Sequence, residues 1–287
     1  MAANGEKSEL AAGPIDVTRR LWRVDIDDRQ HAPQRRRRAV SESLFVTTAQ
    51  LIVVGGVIFF AAFLQIVAGF GFSLLSVPLM TLAIDPKIAV IVASLTSAFV
   101  TSWQAVKDRK SADRVLVRRM VWAAYVGMPI GLLVFITVNN DVLRLALGIA
   151  VLIAAALLAA GFNLHHVGSH LDFGAGFISG VLATSLSTNG PPLVFALQAR
   201  QLEPVRFRAT ISTVFAICNI GGLTLFFASG NVTRDGLIAT AVTIPALILG
   251  QLLGFPVRKH VHGERFRWLV LVLMFVAGTS AIVNALV

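Results

Sequence analysis

The sequence predicts an all-α, polytopic membrane bundle built from two inverted repeats, each a broken or re-entrant hairpin followed by three spanning helices. Three observations carry this expectation. The chain of 287 residues is 56% hydrophobic and only 14% charged, where soluble domains average about 45–50% and about 25%. Its charges avoid a series of long apolar runs. Two of those runs are interrupted, and they stand at matching places in the two halves.

Composition sets the class. Mean hydropathy is +0.77, and there is too little charge to coat a soluble surface of this size. A single cysteine, Cys218, excludes an intramolecular disulfide. Residues 1–43 are different: polar, with nine Lys/Arg, seven Asp/Glu and an Arg35–Arg38 run. They read as a disordered tail near anionic headgroups rather than a nucleic-acid arm, because their own net charge is small. The first apolar stretch starts too late and runs too long for a signal peptide.

The apolar runs follow in order: about 44–68, 70–84, 87–106, 120–138, 142–161, 172–186, 190–199, 209–229, 236–256 and 268–287. Most approach the ~20 residues that a spanning helix needs. Residues 70–84 would reach only ~22 Å as a helix. Residues 172–199 contain Asn189-Gly190-Pro191-Pro192, and a Pro pair removes two backbone donors from a helix. Both read as broken hairpins, which are tolerated in a membrane only where they line a cavity or are buried in protein.

The two places recur. Asp85-Pro86 follows the first and Glu203-Pro204 the second, 118 residues later. Gly127 and Gly131 have counterparts in Gly250 and Gly254, a small-residue spacing that lets helices approach closely and is read as packing. The expected organisation is a tail (1–43), a first membrane repeat (44–161), a linker (162–171) and a second repeat (172–287). Three spanning helices plus a returning hairpin make an odd number of passes, so the second half must be inverted. Charge agrees: loops 107–119, 200–208 and 258–267 hold thirteen of the sixteen Lys/Arg after Ser43. Lipid-flanking basic loops stay in the cytoplasm, which places all three there. If 44–84 returns to its starting side, the tail lies outside. If 44–66 spans and 70–84 only dips in, the tail is cytoplasmic.

The chemistry available inside the apolar runs is neutral. No buried carboxylate or Lys is expected there, so an Asp/Glu proton relay is not. Small polar residues cluster instead beside glycines at both breaks. Half-helix N-termini carry about half a positive charge and can meet an anion at mid-membrane. The residues expected to form or shape that site are Gly71, Ser73, Ser97, Thr188, Asn189, Gly190, Pro191 and Asn219. Asn189 stands out, because an amide in lipid needs a partner and the helix breaks beside it. No cofactor and no metal are expected. The rival reading is an integral-membrane metal-dependent enzyme using His165, His166 and His170, with His166 and His170 one turn apart. His260 and His262 sit in another loop, and all of these read better as interfacial side chains.

Two stretches resemble a known family. Ala68-Gly69-Phe70-Gly71-Phe72-Ser73-Leu74-Leu75-Ser76-Val77-Pro78 resembles the first glycine-rich signature of the sulfite exporter TauE/SafE family, with Phe72 and Ser73 where that signature runs in glycine. Ser179-Gly180 through Thr188-Asn189-Gly190-Pro191-Pro192 resembles the second. The resemblance covers about residues 45–287. It implies a secondary transporter, not an enzyme, that exports a small, often sulfur-containing anion (sulfite, sulfonate or sulfoacetate type) across a bacterial inner membrane by alternating access. A proton or sodium ion is the candidate coupling ion.

Overall fold

The computed structural model describes residues 47–68, 71–160, 168–257 and 264–286. The 1–43 tail, His165, His166, His260 and His262 lie outside them. The described residues are helical, without a strand: α1 (Thr48–Ala68), α2 (Phe72–Met80), α3 (Pro86–Asp108), α4 (Arg114–Thr137), α5 (Asn140–Ala160), α6 (Ser169–Leu186), α7 (Gly190–Ala199), α8 (Pro204–Ala228), α9 (Arg234–Val257) and α10 (Glu264–Leu286). Six of them, α1, α3, α4, α5, α8 and α9, are long and apolar enough to cross a membrane. The last apolar stretch is shorter than expected, Val270–Leu286. Large apolar side chains such as Trp122, Leu252 and Phe275 stand exposed on the outside, where a bilayer would cover them.

Local chemistry sets the helix starts. Pro86 and Pro204 open α3 and α8, where the missing N–H costs nothing. Asp85 caps α3 at Lys87 N, and Asp113 caps α4 at Val115 N and Leu116 N. The order long, short, long, long, long occurs twice. The ends of α1 and α6, and the starts of α2 and α7 and of α3 and α8, are displaced by the same 118 residues.

The two halves are inverted. The α1–α2 hairpin returns to its starting face, since Gln50 Nε2 donates to the Ala83 carbonyl at 2.7 Å. Asp85 accepts from Asn140 Nδ2 at that same face, and Lys87 Nζ reaches the Ile136 carbonyl at 3.4 Å. The α6–α7 hairpin returns to the other face, with Arg200 of its far end on Asp172 of its near end at 2.7 Å. That face also carries the 107–119 loop: Arg119 approaches Asp172 at 3.7 Å and Arg206 pairs with Asp113 at 3.0 Å. Thus α1 starts at the neutral face and α6 at the basic face. Of the two alternatives for 44–84, the returning hairpin is the one seen; a span over 44–66 with a mere dip at 70–84, which put the tail on the side of the basic loops, is not. The first helix is long enough to span, and the short second one still brings the chain back, so Thr48 lies opposite the basic loops.

Packing obeys the same exchange. Helix α4 packs along α6 and α9 along α1, while α5 pairs with α10 and α3 with α8. Glycines make the first two contacts close. A Cβ at Gly127, Gly131, Gly176 or Gly180 would strike the backbone or side chains of the facing helix, and so would one at Gly250 or Gly254 against Phe59–Ile66. The Gly-x-x-x-Gly residues are packing residues. One charge departs from expectation. Asp172 is fully buried, because both Arg200 and Arg119 reach it from the face where α6 begins. A carboxylate withdrawn from water persists when it is paired and hydrogen-bonded.

Candidate functional site

The two breaks meet. Gly71, at φ +96°, turns the chain from α1 into α2, a conformation glycine adopts without the penalty that Cβ brings. Ser187, at φ +57°, turns it from α6 into α7. The caps of the two short helices, Gly71 and Asn189, are again 118 residues apart. Between them lies a small chamber of about 20 Å³ lined by Gly71, Ser73, Ser97, Thr188, Asn189 and Gly190. Gln65, Phe72, Leu74, Thr101 and Phe215 also line it, and among the described residues no charged side chain does.

The chamber is rich in donors. The first N–H groups of a helix lack intrahelical partners, and the first helical bond of α2 is Leu75 N to the Gly71 carbonyl. At α2 these opening N–H groups are those of Phe72, Ser73 and Leu74. At α7 the prolines at 191 and 192 have none, leaving Gly190. The Asn189 side chain stands beside it: this residue is only 7% exposed and its Nδ2 has no partner. The Thr188 hydroxyl, on a residue 1% exposed, is also unpartnered. Ser179 Oγ holds the break in place by donating to the Asn189 carbonyl at 2.9 Å, and Ser94 and Ser187 are joined at 3.0 Å.

Two predicted residues lie elsewhere. Asn219 is not on the chamber wall. It stands behind it, donating to Ser97 Oγ at 3.0 Å and to Thr101 Oγ1 at 3.1 Å. Thr101 gives its own proton to the Ser97 carbonyl at 2.7 Å, while Ser97 Oγ accepts from Asn219 and keeps its proton for the chamber. Thr101 and Asn219 are equivalent positions in the two repeats, so this bond crosses the pseudo-twofold axis. Pro191 lines a neighbouring apolar groove instead.

Sequence reasoning passed over Gln65, a lone amide in the first apolar run. The rule that singled out Asn189, that an amide in lipid needs a partner, applies equally to it. Gln65 lines both the chamber and a larger cavity of about 210 Å³ that holds Lys107, Arg208, Gln104, Ser212 and Gln251. Gln65 Oε1 and Gln251 Nε2 are buried there without partners. Lys107 sits 5.1 Å over the Phe255 ring, within cation–π range. This vestibule leads from the chamber toward the basic face. Toward the neutral face, Leu186, Phe135 and Phe226 fill the space, the last two edge to face at 5.0 Å.

Of the alternative histidine set, only His170 is described, exposed in the first turn of α6. Among the described residues no three His, Cys, Asp or Glu side chains converge to hold a metal. Cys218 is free and buried in the core around α4, α6, α7 and α8.

No curated protein and no solved structure matches the chain. The family model of the sulfite exporter TauE/SafE matches residues 54–281, both breaks included, and this multi-pass helical chain therefore belongs to that family of membrane transporters of small anions.

Proposed function

We propose that this protein is a secondary transporter of a small sulfur-containing anion, of the sulfite, sulfonate or sulfoacetate type, working by alternating access. Residues 44–161 and 172–287 are its two repeats, joined by 162–171. Positive-inside sorting puts the basic face in the cytoplasm of a bacterial inner membrane, so Thr48 starts on the outer side and the vestibule opens inward. Lys107 and Arg208 outnumber the single carboxylate of Asp108 among the described residues at its mouth, and this positive balance raises the local anion concentration, which suits export. A proton or sodium ion is the coupling-ion candidate.

The observation that carries this reading is the Asn189 amide. It is buried, its N–H groups have no protein partner, and it borders a chamber between two oppositely derived helix N-termini. Each unpaired buried polar group costs about 1–3 kcal/mol, and an anion removes that cost. Ser73, Ser97, Thr188, Gly71 and Gly190 complete the cradle, while Asn219 sets the Ser97 hydroxyl and Pro191 holds the start of α7. Among the described residues no fixed cation lines the chamber, so the anion is held loosely enough to leave it. The chamber holds about one water as it stands, so binding must widen it.

Flux measured in proteoliposomes tests this. Asn189→Leu is expected to abolish sulfite and sulfonate transport while insertion and thermal stability are retained. Unchanged flux in that variant overturns the site.

A further inference from the structure

A second cavity of about 510 Å³ runs between α5, α6 and α7. Ile153 and Leu157, Ile178 and Leu182, and Pro192 and Phe195 form its apolar walls, and among the described residues no Lys, Arg, Asp or Glu lines it. His170, in the first turn of α6, marks its end at the basic face, and Thr188 its deep end. Thr188 and Leu74 line this groove and the polar chamber alike, so the two cavities adjoin there and share a wall.

Three quantities decide what fits. The chamber, at about 20 Å³, has room for about one water. The groove falls within the ~300–1,000 Å³ of small-molecule sites. And Thr188, 1% exposed, has a hydroxyl with no partner. A lipid chain entering from the side would set a methyl group against that hydroxyl and leave it unpaired, which is costly in an apolar setting. A ligand with oxygens at the deep end and hydrocarbon along the groove satisfies both walls.

We propose that the substrate is an amphiphilic organic anion of the alkanesulfonate type, its head group between α2 and α7 at Thr188 and Asn189 and its hydrocarbon tail in the α5–α6–α7 groove. This rests on the anion reading of the chamber and adds the chemistry of the tail. Phe195 and Pro192 recognise length, and the donors recognise charge.

The test is calorimetry on the full chain in lipid nanodiscs, with sulfite, then methane-, butane- and hexanesulfonate, then uncharged hexanol. The dissociation constant is expected to fall about fourfold per methylene until the groove is full, with no binding of hexanol. Gly174 lines the groove, and a Cβ there meets nothing within 4 Å. Gly174→Trp should flatten the series, and Ile178→Trp from the same wall should do likewise. Asn189→Leu should lose every sulfonate. Equal affinity for methane- and hexanesulfonate overturns the tail site and leaves the anion site standing. Binding of hexanol as tight as hexanesulfonate, or a length series that survives Asn189→Leu, makes the groove a lipid-chain site and overturns the proposal. If sulfite and all the sulfonates fail to bind, the anion reading itself falls.

Discussion

The two hairpins occupy equivalent places yet are built from different chemistry. In the first, the turn is a glycine and the donors are backbone N–H groups of Phe72, Ser73 and Leu74. In the second, the turn is Ser187, two prolines remove backbone donors, and a side-chain amide replaces them. Their outer ends differ as well. The first closes through one neutral bond, Gln50 to the Ala83 carbonyl. The second closes through the buried Asp172 carboxylate between Arg200 and Arg119. Inversion fixes the backbone path of a repeat but leaves its side chains free, so each hairpin adapts to the face where it ends. The ionic closure sits among basic loops, and the neutral one at the face with few charges.

Substitutions at equivalent places separate the two designs. Arg200→Met should have the largest effect. It strips the near partner from a fully buried carboxylate, and breaking such a pair costs ~3–5 kcal/mol, with the lower end expected because Arg119 remains at 3.7 Å. Thermal unfolding of the purified protein measures it, and a change below that of Gln50→Ala would show that Asp172 does not depend on Arg200.

Gly71→Ala comes next. Its φ of +96° suits no side chain, and left-handed backbone costs about 1–2 kcal/mol for an L-residue. No neighbour lies within 4 Å of a Cβ there, so a loss of stability would come from the backbone, whereas an unchanged melting temperature would show that the turn relaxes.

Gln50→Ala should cost less, ~0.6 kcal/mol, the mean found for hydrogen bonds between membrane helices. Ser187→Gly should be nearly neutral. It relieves a φ of +57° but removes the bond to Ser94 and adds the conformational entropy a glycine loses on folding, and the gain and the two losses together are of similar size. A melting temperature lowered as far as in Gly71→Ala would assign the Ser94 contact most of the second turn's stability.

Much of the fold was legible because lipid enforces it. Charges cannot stay inside an apolar bilayer, so the charge gaps mark helices and the basic loops mark one face. Pro and Gly report directly on backbone, which is why both breaks were visible from Asn189-Gly190-Pro191-Pro192 and from the run ending before Asp85-Pro86. Asp172 was misjudged because burial of a charge depends on its partners, and Arg200 lies 28 residues away in the chain.

By itself, then, the sequence determined the class, the two broken hairpins, the duplication and the neutral character of the chamber, since each follows from hydropathy, charge or the dihedral limits of Gly and Pro. Only the tertiary structure decided that six of the eight predicted site residues share one chamber, that Asn219 stands behind Ser97 while Pro191 faces the groove, and that Gln65 joins the chamber to the vestibule. These are matters of which helix faces cross and at what height. Such long-range geometry comes from glycine-scale packing between distant segments, and a hydropathy pattern carries no record of it.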